Sequence, residues 1–367
     1  MSDGPSKPSS INATPSNIEA VAKNPRTLLQ RAHFALTISG GIYGLIIALL
    51  LVPFFQSHLV FLHTLRFPWF AKYSVPEQYG LSPGKTHNFY IQTSDNVTLG
   101  AWFVLADPYY QNIYPTAYDN GTLSYDPPSA ESLLEKHIPQ SLQRHPTIIW
   151  FHGNAATRAF HLRISHYQAF ASRLKANVLA IDYRGYGDSG GSVVKDGEEG
   201  LAKDARAAWD WVMEMKKRGA TQGTEQNSHL GADVLLVGHS LGTAVAARLG
   251  SDLGKEGVQC RGVVLMSPFA SIETLLEDYY LFGLVPLMKP ISMIPGARSE
   301  FFIHLRRTAV DILFQIFSSG PWCINLIRWQ SFTYVVRLGP GLRRCLADAP
   351  TAIQDIRAPV LITHAGT

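Results

Sequence analysis

The chain has 367 residues, of which 46% are hydrophobic and 16% are charged, and its formal net charge is +4. This length suffices for one large α/β domain with an extension, and the mild, evenly spread positive charge argues against a nucleic-acid partner. Three cysteines (Cys260, Cys323 and Cys345) lack the spacing of metal ligands, and their odd number gives no disulfide framework. We therefore expect neither a metal nor a cofactor.

The N-terminal region contains a long uncharged stretch. Residues 1–32 begin with many Ser, Pro, Asn and Ala residues, which predicts a disordered tail. No charged residue occurs from Phe34 to Phe55, and this stretch is long enough to cross a hydrocarbon core of about 30 Å. We expect one transmembrane helix over 33–56. A secretory signal peptide or a buried core helix fits this length and its glycines less well.

The residues that flank this stretch bear on its orientation. Residues 57–86 are interpreted as a membrane-interface linker because they include the aromatic run LVFLHTLRFPWF, although a linker packed on the domain fits nearly as well. Three basic residues precede the span and two follow it (Lys23, Arg26, Arg31; Arg66, Lys72). Two glycosylation sequons start at Asn96 and Asn120. These features predict a single-pass protein of the endoplasmic reticulum with a lumenal main domain.

Residues 87–367 have the pattern of one α/β domain. A hairpin is predicted over His87 to Leu105, followed by an insertion at 107–145 that is rich in Tyr, Pro, Asn and Asp. Buried strands are then predicted at Thr147–Phe151, Asn177–Ile181, Leu235–Val237 and Gly262–Met266, and a helix at about Leu201–Lys217. Strands that are apolar on both faces and alternate with helices indicate a mostly parallel sheet.

The stretch LLVGHSLGTAVAARL carries the chemistry. It predicts a strand, a tight turn and a helix, with the motif G-x-S-x-G formed by Gly238, Ser240 and Gly242. Such an elbow exposes the serine hydroxyl, and its glycines allow the strand and the helix to pass closely. Ser240 is therefore the candidate nucleophile, and the N–H group of Leu241 is one candidate oxyanion donor.

The second oxyanion donor is expected in the loop after the strand that ends at Phe151. Gly153 in this loop permits close backbone approach, so the N–H group of Asn154 or of Ala155 is the candidate donor. His152 and His239 lie beside these motifs, and we interpret both as structural rather than catalytic.

Four motifs, HGNAATRA, DYRGYGDSGG, GHSLGTAVAARL and MSPFASI, occur in this order and resemble the α/β-hydrolase superfamily. Together with the uncharged N-terminal stretch, they look most like the membrane-bound lipases of this superfamily that cleave monoacylglycerol and lysophosphatidylserine. The resemblance implies an α/β-hydrolase fold, a lipid ester substrate, a membrane partner and a Ser–acid–His triad. The oligomeric state does not follow from it.

The C-terminal part departs from the family pattern. The segment from Asp355 to Thr367 resembles the strand after which the family places its acid, so we expect the sheet to be incomplete there and neither the triad acid nor its histidine to be in the chain. His304 and His364 are poor candidates for the base. Residues 270–354 are interpreted as a lid or irregular segment, of which 306–349 is either divergent lid or misjoined sequence.

Two hypotheses about function follow. The first is a membrane-bound serine hydrolase of lipid esters that works through an acyl-enzyme. The second is a non-catalytic, truncated or degenerate member of the fold.

Overall fold

The computed structural model describes residues 27–50, 52–113, 117–119, 122–124, 129–220, 231–267, 280–281, 285–286, 333–336 and 360–363. The helices are α1 (Leu28–Leu50), α2 (Pro53–Phe61), α3 (Asp107–Ile113), α4 (Ala130–Ser132), α5 (Ile138–Arg144), α6 (His161–Arg173), α7 (Val193–Gly219) and α8 (Leu241–Lys255). A 3₁₀ turn occupies Pro76–Tyr79 and a π-helical turn Leu133–His137. The strands are β1 (Thr86–Gln92), β2 (Thr98–Val104), β3 (Ala117–Asp119), β4 (Thr122–Ser124), β5 (Thr147–Phe151), β6 (Asn177–Ile181), β7 (Val234–His239), β8 (Gly262–Met266), β9 (Tyr280–Leu281), β10 (Val285–Pro286), β11 (Thr333–Val336) and β12 (Val360–Thr363).

Eight of these strands form one sheet in the order β1-β2-β6-β5-β7-β8-β12-β11. The five strands from β6 to β12 in this order run parallel to one another, while β1, β2 and β11 pair antiparallel at the two ends. The mostly parallel sheet predicted from the sequence is therefore confirmed, and so is the β1–β2 hairpin. Parallel strands are connected by crossover helices that lie on both sides of the sheet, so both faces of the parallel strands are covered and their residues are apolar on both faces.

The core lies on both faces of the central strands. In β5, Ile149 and Phe151 pack on one face, in the cluster that includes buried residues of α7 and α8. Ile148 and Trp150 point to the other face, in the cluster that includes Ile164 and Tyr167 of α6. This alternation follows from the two-residue period of a strand, and it explains why every residue of β5 is buried.

Strand register brings the functional motifs to one edge of the sheet. Phe151, the last residue of β5, pairs with Gly238, and His239 at the end of β7 pairs with Met266 of β8. The carboxyl ends of these three parallel strands therefore lie side by side. Ligands of open α/β sheets bind beyond this edge.

The stretch predicted as a surface insertion (107–145) contributes to the core as well as to the surface. Tyr109, Ile138 and Leu142 are at most 1% exposed and belong to the same cluster as Phe151. Gln143 donates a hydrogen bond to the carbonyl oxygen of Lys216 in α7, and Lys216 in turn donates to the carbonyl oxygen of Leu142. These bonds fix α5 against α7.

The single transmembrane helix predicted over 33–56 is not shown by the structure. These residues are divided between α1 and α2. Pro53 begins the second helix, since proline has no N–H group to continue the hydrogen bonding of a preceding one. In the parts of the chain that the structure describes, no helix has both the length and the apolar character that crossing a membrane requires.

The C-terminal edge of the sheet also differs from the prediction. The sequence leads us to expect β12 without a neighbour on its outer side, but β11 pairs with it antiparallel, from Thr333 opposite Thr363 to Val336 opposite Val360. The eight-stranded sheet thus ends at β11 rather than at β12. Residues 1–26, His304, His364 and, apart from β9, β10 and β11, the proposed lid at 270–354 lie outside the described residues.

Candidate active site

Ser240 lies at the corner between β7 and α8. Its backbone has φ 51° and ψ −119°, a conformation that residues with a side chain rarely adopt. Hydrogen bonds hold this corner: the Ser240 N–H group donates to the Met266 carbonyl oxygen at 3.0 Å, and the Ser240 carbonyl oxygen accepts from Thr243 N at 2.8 Å and from its Oγ1 at 2.6 Å. The side chain is only partly buried, so the strained corner presents the hydroxyl at the edge of the sheet.

The glycines on either side of Ser240 are required by close backbone contacts. A Cβ atom on Gly238 would overlap the Gly242 carbonyl oxygen and lie 2.7 Å from Thr243 Cα. A Cβ atom on Gly242 would overlap the carbonyl oxygen of Phe151 and lie 2.8 Å from that of His152. Real Cβ atoms do not approach backbone atoms so closely. The start of α8 therefore packs directly on the ends of β7 and β5.

Two backbone N–H groups near Ser240 are the predicted oxyanion donors. Leu241 is the first residue of α8, where N–H groups have no partner within the helix and the helix dipole is positive. The loop after β5 lies against the elbow, since a Cβ atom on Gly153 would be 3.2 Å from Ser240 Cβ. Of the two donors left open there, Ala155 donates its N–H group to the Phe61 carbonyl oxygen at 3.2 Å. Asn154 therefore remains the candidate.

The last residues of α2 and the segment that follows it hold this loop by hydrogen bonds. Besides the bond from Ala155, Ala156 donates to the Leu65 carbonyl oxygen at 2.6 Å, and Thr157 donates to that of Phe67 at 3.0 Å. The Asn154 side chain donates through Nδ2 to the carbonyl oxygen of Val60. The position of the predicted oxyanion loop thus depends on a part of the chain about ninety residues away in sequence.

The two histidines beside the motifs are buried to different extents, His152 fully and His239 partly. His152 is fully buried, and its Nδ1 atom lies 2.6 Å from the Gly153 carbonyl oxygen. Desolvation, followed by the charge of Arg163, lowers the pKa of His152 well below its usual value, so the ring is neutral although Asp182 lies 3.5 Å from Nε2. Burial also lowers the pKa of His239, whose ring stacks on Trp150.

Buried ion pairs organise the DYRGYGDSGG motif beside the elbow. Arg158 is fully buried and donates to Asp182 at 2.7 Å and to Asp188 at 2.6 Å. Arg184 bonds Asp204 through Nε at 2.9 Å, and it also reaches two more aspartates (Asp95 and Asp196). These arginines fix the loop after β6. Among the described residues, neither arginine is hydrogen-bonded to Ser240.

Sequence reasoning missed Arg158 and Arg163. Arg163 donates through Nη2 to the carbonyl oxygens of Gly153 at 3.1 Å and Ala155 at 2.6 Å. A signal was present, because Arg163, Tyr167 and Ala171 recur every four residues and all lie on the buried face of α6. A charge on such a face indicates a specific buried partner.

The remaining parts of a triad are not assigned among the described residues, where no side chain is hydrogen-bonded to the Ser240 hydroxyl. Within the same residues, no group of three or more His, Cys, Asp or Glu side chains is arranged to hold a metal ion.

Comparison with known proteins identifies proteins of similar sequence. The chain is 32% identical over 222 residues to the lysophosphatidylserine lipase ABHD12 of Rattus norvegicus, a match that covers 60% of this chain and 47% of that protein. It is 33% identical over 234 residues to the protein of the same name from Danio rerio, covering 63% and 52%. Protein ABHD12B of Homo sapiens is 28% identical over 252 residues, covering 69% and 58%. The chain spans about half the length of these relatives.

Solved structures include an esterase of Pyrococcus furiosus, with 20% identity, a TM-score of 0.36 and coverage of 64% of this chain and 63% of that one. An α/β-hydrolase from Vibrio vulnificus has 14% identity, a TM-score of 0.42 and coverage of 68% and 70%. These scores are too low to carry an argument. The model of the alpha/beta hydrolase family, however, matches residues 148–367, more than half of the chain and the part that contains Asn154, Ser240 and Leu241. The chain therefore belongs to the alpha/beta hydrolase family.

Proposed function

We propose that this protein is a serine hydrolase of lipid esters, with Ser240 as its nucleophile. The observation that carries the proposal is the strained corner at Ser240, which has φ 51° between β7 and α8 and presents the hydroxyl beside the first N–H group of α8. Such an arrangement suits attack on an ester carbonyl, because the nucleophile and an oxyanion donor are held at one point.

In the proposed reaction, the Ser240 oxygen attacks the carbonyl carbon and its proton passes to a general base. The N–H groups of Leu241 and Asn154 would stabilise the negative oxygen of the tetrahedral intermediate. As that intermediate collapses, the protonated base gives its proton to the leaving oxygen, so the alcohol departs and an acyl group stays on Ser240. Water then attacks the acyl-enzyme, giving its proton to the same base, and the base returns that proton to the Ser240 oxygen as the acid leaves. One oxyanion donor is typically worth about 10²–10³-fold in turnover, so both N–H groups matter in this scheme.

The substrate class is proposed from the relatives. Two of them carry the name lysophosphatidylserine lipase, and a monoacylglycerol or lysophospholipid ester is the substrate we propose here. The segment that is bonded to the oxyanion loop supports a lipid substrate, because it exposes aromatic side chains: Trp69 is 54% exposed and Phe70 is 99% exposed. Exposed apolar side chains in such a run favour contact with a lipid surface.

Labelling with a fluorophosphonate probe tests the nucleophile. We expect any labelling of the full chain to occur at Ser240 and to be lost in Ser240→Ala, because the probe reacts with an activated serine. Ser165→Ala is a matched control: Ser165 is exposed on α6 and bonds only to the His161 carbonyl oxygen, so its loss should leave labelling unchanged. A full chain that takes up no label would favour the non-catalytic hypothesis, and equal labelling of Ser240→Ala would contradict the elbow assignment.

We also propose that the protein is bound to the endoplasmic reticulum membrane with its hydrolase domain in the lumen. The support is the uncharged stretch from Phe34 to Phe55 and the sequons at Asn96 and Asn120. Asn96 is exposed in the turn of the β1–β2 hairpin, with φ 62°, where a glycan has room. Asn120 lies outside the described residues.

Carbonate extraction and glycosidase treatment separate the two parts of this proposal. We expect the full chain to stay in the membrane pellet at alkaline pH and to run faster after glycosidase treatment. Asn96→Gln with Asn120→Gln should abolish that mobility change and leave the pelleting unaltered. Release by carbonate would contradict membrane insertion, whereas an unchanged band of the unsubstituted chain would contradict only the lumenal orientation.

A further inference from the structure

Arg163 is a buried cation whose partners are carbonyl oxygens. Its residue is 7% exposed, and it lies on the inner face of α6. In the described part of the chain it forms no ion pair, unlike Arg158 and Arg184, which each bond at least two aspartates. Its Nη1 atom also has no hydrogen-bond partner among these residues. A buried charge left without a carboxylate is costly, so this arrangement needs a reason other than packing.

The two bonds from Arg163 fall on either side of the proposed oxyanion donor. Nη2 donates to the carbonyl oxygen of Gly153 and to that of Ala155. The peptide that joins Gly153 to Asn154 is planar and trans, so its carbonyl oxygen and its N–H group point in opposite directions. A hydrogen bond that draws the Gly153 oxygen towards Arg163 therefore turns the Asn154 N–H group away from Arg163 and leaves it free for a substrate.

The same bonds affect the strength of that donor. A cation that bonds a carbonyl oxygen polarises the peptide, and hydrogen bonds in such a chain strengthen one another at low dielectric. His152 Nδ1, 2.6 Å from the same Gly153 oxygen, adds a second polar contact on that side of the peptide. The Ala155 bond acts on the next turn of the loop, where Ala156 donates to Leu65.

We propose that Arg163 is a positioning residue of the active site: its guanidinium orients and polarises the Gly153–Asn154 peptide so that the Asn154 N–H group serves as an oxyanion donor. This inference rests on the proposed function, because it needs Ser240 to act on an ester. Arg163 itself touches neither the substrate nor Ser240. Its effect is exerted through the backbone of the loop.

Steady-state kinetics with p-nitrophenyl butyrate test the proposal in the full chain. Arg163→Met should lower kcat about 10–100-fold and change KM less than about twofold, because an oxyanion donor acts mainly in the transition state. Arg163→Lys should recover part of the lost kcat, since an ammonium group keeps the charge near the carbonyl oxygens. Arg173→Met, an exposed arginine at the end of the same helix, should behave as the unsubstituted chain. An Arg163→Met variant with unchanged kcat would overturn the proposal.

Hydrogen exchange of the loop gives a readout that needs no turnover. Ala155 donates its N–H group to the last residue of α2, and Ala156 and Thr157 donate theirs to the segment after α2, so their exchange reports the position of the loop. We expect faster exchange in Arg163→Met, near-normal exchange in Arg163→Lys, and unchanged exchange in β5 for both. Unchanged exchange at all three amides would overturn the positioning role. If Ser240→Ala keeps full esterase activity, the proposed function fails, while the exchange result still decides whether Arg163 orients the loop.

Discussion

At the scale of single residues, two buried arginines of this domain have different kinds of hydrogen-bond partner. Arg158 is bonded by two carboxylates and by Asn88, and its guanidinium also lies 4.0 Å from the ring centre of Tyr73. Arg163 has only carbonyl partners among the described residues. The first arginine has the contacts of a structural residue, and the second those of a residue that orients backbone.

Replacing Arg158 tests the structural role. Arg158→Met leaves the fully buried carboxylate of Asp182 without its cation, and we expect the free energy of unfolding to fall by about 3–5 kcal/mol. Arg206→Met is the control, because Arg206 pairs with Asp210 and Glu256 at the surface, where such pairs contribute at most about 1 kcal/mol. Urea denaturation of both variants measures the difference, and similar losses in the two would contradict this account.

At the scale of elements, the site exists because a strand, a helix and a neighbouring strand meet without side chains between them. The first residues of α8 lie on the last residues of β5, and only glycine fits at Gly242. The strand and the helix could each form with another residue at position 242. They could not approach each other so closely, because a Cβ atom there would overlap the Phe151 carbonyl oxygen.

Gly242→Ala tests this packing. Its Cβ atom would overlap the Phe151 carbonyl oxygen, so α8 has to move away from the sheet, and we expect a loss of about 1–3 kcal/mol of stability, as in overpacked cores, together with loss of fluorophosphonate labelling. Gly44→Ala in α1, where nothing lies within 4 Å of the added atom, should preserve both. Thermal melting and labelling of the two variants provide the comparison, and normal labelling of Gly242→Ala would show that the elbow tolerates the shift.

At the scale of the whole molecule, histidines in partly or fully buried positions couple stability to pH. Desolvation lowers the pKa of six described histidines, most strongly that of fully buried His152 (His63, His87, His137, His145, His152 and His239). An unfolded chain protonates these side chains near pH 6.5, whereas the folded chain binds those protons only at lower pH. As the pH falls below about 7, the unfolded state therefore binds more protons than the folded state, and the free energy of unfolding falls with the pH.

We expect the melting temperature of the full chain to drop between pH 7 and pH 6, and replacing His87 by Gln should make this drop smaller. Asp204 acts in the opposite direction: burial raises its pKa to about 6, so its contribution is present below the pKa of the unfolded carboxyl and is lost as the pH rises through 6. Part of that loss falls within the interval from pH 6 to pH 7 and opposes the histidines, so the comparison with His87→Gln, which leaves Asp204 in place, isolates the histidine contribution in this interval. A melting temperature that is constant across it would contradict this prediction.

Much of the fold follows from local pattern. The strands predicted at Thr147–Phe151, Asn177–Ile181 and Gly262–Met266 have the same bounds in the structure, because short apolar runs between polar turns specify buried strands in almost any context. The predicted helix at Leu201–Lys217 lies within the longer α7, which is broken at Gly197, with φ 56° and ψ −140°. Local pattern located the helix but not its kinked first turns.

The sequence by itself determined the elbow, since the spacing of Gly238, Ser240 and Gly242 between a strand and a helix permits one local geometry. Only the tertiary structure bears on the candidate oxyanion loop. The choice between Asn154 and Ala155 depends on the Phe61 carbonyl oxygen, and the orientation of the loop depends on Arg163. The pairing of β11 with β12 is likewise a contact between distant residues. Such contacts depend on where other elements pack, and the pattern of residues that are neighbours in sequence does not predict that packing.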